Sequence, residues 1–171
     1  TINNAHPHIT DKVGVIHNGI IENFGELRLE LENLGYKFHS QTDTEVVPVL
    51  LTNYINEGKT PHEAVSLALG RLEGAFALGI LFSGNDDLLI AARRVSPLAI
   101  GYGDGEMYIA SDAYALAPLT QKITYLNEGD WAEITRGSVT IYDNENNKVE
   151  REVKLTALSG ATFGKGDYRH F

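Results

Sequence analysis

The chain has 171 residues, 43% hydrophobic and 22% charged, enough for one globular core of ordinary composition. Its formal net charge of −9 argues against nucleic acid and against an anionic membrane surface, since both need a basic face. There is no cysteine, which excludes disulfides and thiolate chemistry within these residues, and no apolar run approaches the ~20 residues that span a bilayer.

Residues 1–12 are polar and read as loop. His6 and His8 flank Pro7 in a His-x-His spacing that could ligate a metal on a strand. Pro7 disfavours a regular strand, no third ligand follows nearby, and we assign no metal and no cofactor. Val13–Ile16 reads as a buried strand that runs into His17-Asn18-Gly19-Ile20-Ile21-Glu22-Asn23. The Asn18-Gly19 pair admits two readings. It is a common type I′ turn signal. It also sets a side-chain amide donor beside a backbone N–H with no Cβ to shield it, one way to build an oxyanion hole.

Asn23 with Glu26 three residues on suggests a capping box for a first helix over 24–34, which Gly35 ends. Tyr36–Ser40 could be a short strand. It leads to Gln41-Thr42-Asp43-Thr44-Glu45, where Asp43 suits an N-cap for a second helix stopped by Gly58. Thr60-Pro61-His62-Glu63 opens a third helix, with an N-cap Thr and Pro at the first helical position. Ala75–Phe82 is apolar on both faces and reads as a central strand covered on both sides. Strands follow at Leu88–Ala92, Leu98–Tyr102, Met107–Ala110, Ile123–Leu126, Trp131–Thr135 and Ser138–Tyr142, with an edge strand at Val149–Val153. Asp112 can cap a short helix through Leu116. From Thr156 the chain has little to bury and reads as a linker. Helices segregated in sequence from hairpins predict an α+β layered fold.

Six blocks keep one order along the chain: Asn4-Ala5-His6-Pro7-His8, residues 17–23, Thr42-Asp43-Thr44-Glu45, Leu72-Glu73-Gly74-Ala75, residues 92–98, and Ala110-Ser111-Asp112. Together they resemble the class II glutamine amidotransferases. The ending Tyr168-Arg169-His170-Phe171 is similar to the lead-in from the glutaminase half to a sugar-isomerase half in members of that family. The resemblance implies a four-layer αββα N-terminal-nucleophile sandwich, two antiparallel sheets between helical layers. It implies hydrolysis of L-glutamine to glutamate, with ammonia passed to fructose 6-phosphate on a second domain. The pathway implied is cytoplasmic amino-sugar biosynthesis, and a homo-oligomer is expected. The purine-pathway amidophosphoribosyltransferase is the runner-up within the family.

Carried over residue by residue, Asn18 and Gly19 would donate to the tetrahedral oxyanion, Asp43 would hold the glutamine α-ammonium, and His6 would line the pocket or fix its loop. Arg93 and Arg94 are expected to serve structure or a domain interface. The family's nucleophile is an N-terminal cysteine preceding an arginine segment, and neither is found here. The expectation is therefore a glutaminase domain over 1–155, short of its first strands and inactive alone, with 156–171 leading toward an absent sugar-isomerase domain. Two rivals stay open: a hydrolase using Thr1 as nucleophile, and a non-catalytic glutamine-binding or docking module.

Overall fold

Val13 and Val15 are almost fully buried while their neighbours are half-exposed, the period-2 signature of a strand with one face on a core. The computed structural model describes residues 8–156, which fall into two compact units divided after Asp86.

In the first unit, β1 (His8–Ile9) pairs antiparallel with β2 (Val13–Ile21). β2 does not end at Ile16 as the apolar run suggested. It continues through Asn18-Gly19 to Ile21 and pairs along its whole length with β3 (Gly74–Phe82), from Val13 opposite Phe82 to Ile21 opposite Gly74. The Asn-Gly turn reading fails here because nine consecutive ladder positions outweigh a dipeptide preference. β3 is buried at every position from 76 to 80, as its two-sided apolar pattern required.

Helix α1 (Phe24–Asn33) buries Leu27 and Leu31 and closes with Gly35 at φ +100 and a Tyr36 N–H bond to the Leu31 carbonyl. Its N-terminus corrects the expected capping box, since Asn23 makes no side-chain cap bond. The Asn23 amide donates instead to the Arg71 carbonyl at 2.7 Å and accepts from Glu73 N–H at 2.9 Å, pinning the entry to β3. Tyr36–Ser40 forms no strand, and its last backbone N–H groups go to Glu45. A 3-10 turn over Asp43–Glu45 leads into α2 (Val46–Asn56), the most deeply buried helix, with Val46 through Thr52 all inside. Helix α3 (Pro61–Arg71) has the full capping box between Thr60 and Glu63, with Pro61 in the first turn.

In the second unit the elements run β4 (Leu89–Arg94), β5 (Ala99–Tyr102), β6 (Met107–Ala110), α4 (Ala113–Leu116), β7 (Lys122–Tyr125), β8 (Trp131–Ile134), β9 (Val139–Tyr142), β10 (Lys148–Val149) and β11 (Lys154–Leu155). β4, β8, β9 and β10 are successive antiparallel neighbours, and β11, β7, β5 and β6 form a separate antiparallel sheet. Asp112 caps α4 through Ala115 N–H, and Leu116 packs with Ala99, Tyr108 and Ile123 over that sheet. The expected edge strand at Val149–Val153 is broken. Arg151 turns its guanidinium onto Asp130, with bonds of 2.8 and 3.0 Å, and this takes the chain out of one ladder before β11 joins the other. Helices together with antiparallel sheets bear out the α+β expectation. Among the described residues no helix is long and apolar enough to cross a membrane.

Candidate active site

The site candidates converge on the last third of β2. Asn18, Gly19 and Ile20 are exposed, between buried His17 and buried Ile21. Gly19 has φ +117, a backbone that side chains with a Cβ rarely adopt. A Cβ there would stand 2.1 Å from the Ala75 carbonyl oxygen and 2.9 Å from Phe76 Cα. The glycine is thus required by the close approach of β3, whatever its N–H does.

Asp43 lies 22 residues on, yet its Oδ2 accepts the Ile21 backbone N–H at 2.6 Å. This corrects the N-cap reading: the residue that precedes α2 is Glu45, and Asp43 spends its carboxylate on β2 instead. The other oxygen, Oδ1, meets the Thr44 hydroxyl at 3.5 Å. That is a long contact, and it leaves lone-pair capacity for a further donor. The adjacent Thr44 is 2% exposed and its Oγ1 sits 2.6 Å from His17 Nδ1. One 3-10 turn therefore grips β2 at two residues, 17 and 21, on either side of Asn18-Gly19.

The turn is itself fastened from below. Glu45 accepts the His39 N–H at 2.8 Å, the Ser40 N–H at 2.7 Å and the Ser40 hydroxyl at 2.7 Å. Burial alone would push the Glu45 carboxyl up, but the Ser40 hydroxyl and the His39 and Ser40 N–H groups hold it below its ordinary value. The Ser40 hydroxyl also lies 3.0 Å from that of Thr42, which reaches His8 Nε2 at 3.3 Å. His8 is thereby drawn into the loop's hydrogen bonding.

Of the residues singled out in the sequence, Asn18, Gly19 and Asp43 are brought together. His6 and Thr1 lie outside the described residues. Arg93 ties a turn together, donating to the Leu126 and Val95 carbonyls at 2.9 Å and to Glu128 at 3.3 Å. Sequence reasoning missed His17, Ser40, Thr44 and Glu45. Ser40, Thr44 and Glu45 were signalled by the density of hydroxyl and carboxylate residues between Ser40 and Glu45, and His17 by its place in the block 17–23.

Comparisons with known proteins identify the family and the fold. Residues 2–118 match the family described as a glutamine amidotransferase domain. The chain is 57% identical over all its residues to a glutamine–fructose-6-phosphate aminotransferase (isomerizing) of Bradyrhizobium diazoefficiens. It is 58% identical to one of Zymomonas mobilis. It spans 28% of the length of each. Among solved structures, the glutamine phosphoribosylpyrophosphate amidotransferase of B. subtilis superposes with a TM-score of 0.65 at 26% identity, covering 84% of this chain and 31% of that one.

Proposed function

The chain belongs to the class II glutamine amidotransferase family, and from that premise we propose that it is the glutaminase part of a glutamine–fructose-6-phosphate aminotransferase. The observation that carries the site assignment is the Asp43 carboxylate bound at 2.6 Å to the strand that presents Asn18 and Gly19. In this reading Asp43 Oδ1 accepts the α-ammonium of L-glutamine, while Oδ2 stays committed to Ile21. The substrate's side-chain amide then lies along the exposed edge of residues 18–20.

A nucleophile adds to the amide carbon, and the carbonyl oxygen gains a negative charge. The Asn18 side-chain amide and the Gly19 N–H donate to that oxygen. Collapse breaks the C–N bond, the proton given up by the nucleophile goes to the leaving nitrogen, and ammonia departs; water then hydrolyses the acyl group to glutamate and restores the nucleophile. The thiol that the family uses is not among these 171 residues, so their share of the chemistry is oxyanion stabilisation and substrate placement. Ammonia goes to fructose 6-phosphate, in cytoplasmic amino-sugar biosynthesis. Identities of 57–58% to the sugar enzymes, against 26% to the purine enzyme, favour that acceptor.

Kinetics in the complete protein test both assignments. An oxyanion exists only in the transition state, so Asn18→Ala should lower kcat by ~100-fold or more with little change in KM. Asp43→Asn weakens a contact present in ground and transition states alike, so KM for glutamine should rise first. Two variants that both raise KM and spare kcat would remove Asn18 from the chemistry. Amination of phosphoribosyl pyrophosphate in place of fructose 6-phosphate would overturn the acceptor.

A further inference from the structure

The segment that presents Asn18 is not held by regular strand geometry alone. Gly19 interrupts it with a φ of +117, and residues 18 to 20 are exposed. The ladder to β3 carries its backbone, and further bonds fasten its two ends. Asp43 holds the Ile21 N–H at one end. At the other, the Thr44 hydroxyl holds the His17 ring at 2.6 Å, with Thr44 2% and His17 7% exposed, so little water competes for the contact. Thr44 therefore acts on the residue next to the oxyanion donor, while Asp43 acts three residues beyond it.

We infer that Thr44 is a positioning residue for the Asn18 amide, acting through His17, and that it divides labour with Asp43: Thr44 serves the transition state and Asp43 serves substrate binding. This rests on the oxyanion reading of Asn18. Thr44 also meets Asp43 Oδ1, but at 3.5 Å, long beside its 2.6 Å contact with His17, so its main hold is on β2. Its hydroxyl fixes where the Asn18 amide points, and catalysis of this kind falls steeply with misplacement of a donor.

The test is a double-background kinetic experiment on glutamine hydrolysis by the complete protein. Thr44→Val keeps the shape and removes the hydroxyl; Thr44→Ser keeps the hydroxyl. We expect Thr44→Val to lower kcat about tenfold with KM within about twofold, as sub-ångström misplacement should. Thr44→Ser should return most of the rate. In an Asn18→Ala background, Thr44→Val should cost less than about twofold, because the donor it aims is already gone. Equal losses in both backgrounds, or a loss confined to KM, would overturn the positioning role and leave the oxyanion assignment standing. If Asn18→Ala alone spares kcat, the oxyanion assignment falls and the Thr44 role with it. Should Thr44→Val not fold, His17→Phe breaks the same contact from the other side, and the same two-background pattern decides the outcome.

Discussion

Replacing Gly19 by alanine separates what the strand needs from what the chemistry needs. The added methyl would sit 2.1 Å from the Ala75 carbonyl oxygen, 2.9 Å from Phe76 Cα and 3.0 Å from the Ala75 carbonyl carbon. All three are backbone atoms at the edge of the β3 stretch that is buried from 76 to 80, so no side chain can swing aside. Two costs follow. Holding a Cβ-bearing residue at φ +117 costs about 1–3 kcal/mol. Parting two packed strands to admit a methyl costs about 1–3 kcal/mol more. The midpoint is about 4 kcal/mol, a large part of the roughly 5–15 kcal/mol that holds a domain folded. At about 3 °C per kcal/mol for a domain of this size, Tm should fall by about 12 °C, read by circular dichroism and checked by the urea midpoint. Gly25→Ala is the matched control. It lies in the first turn of α1 with nothing within 4 Å of its Cβ, and should raise stability by up to about 1 kcal/mol. A Gly19→Ala protein that melts within about 1 °C of the parent would refute the close-approach argument.

Three further outcomes follow from the structure. Glu45→Gln should cost about 2–3 kcal/mol at pH 7, since one carboxamide oxygen replaces two acceptors and its NH2 faces N–H donors. The Glu45 carboxyl is held below its ordinary 4.5, so its contribution is complete above that value and is lost as pH falls through the folded value. The gap between parent and Glu45→Gln in urea titrations should therefore close below pH 4.5, and a gap that does not change with pH contradicts the network. Val95 is a β-branched residue at φ +65, 61% exposed, and its N–H is held by both Glu128 oxygens at 3.0 and 2.9 Å. Val95→Gly should relieve more strain than it adds in unfolded-chain entropy, for a net gain of about 1 kcal/mol, seen as a higher Tm. Arg151→Met leaves the 1%-exposed Asp130 side chain without its cation and should cost about 3–5 kcal/mol by denaturant titration. A loss under about 1 kcal/mol would mean that the Asn127 N–H at 2.8 Å is partner enough.

Where the signal lay within a few residues, the sequence alone determined the structure. Thr60-Pro61-His62-Glu63 specified the start of α3 down to its reciprocal cap bonds, because every partner sits within one turn. Gly35 and Gly58 ended their helices at positive φ, and Asp112 capped α4, for the same reason. The apolar run after Gly74 specified a doubly covered strand, and the six ordered blocks specified the family. Tertiary structure decided the rest wherever a side chain's partner was distant in sequence. Asn18-Gly19 is a turn signal by itself and became strand because β3, nearly 60 residues on, supplied a full ladder. Asn23 and Asp43 both carry cap-forming side chains. One instead bonds residues 71 and 73, and the other bonds Ile21. A short polar side chain can satisfy its own helix or a neighbour's backbone equally well, so local sequence does not choose between them. The choice falls to packing, because a backbone N–H such as that of Ile21, set against the 3-10 turn, must find an acceptor there. That demand draws Asp43 and Thr44 onto β2, and it assembles a candidate site from two segments that carry no mark of each other in sequence.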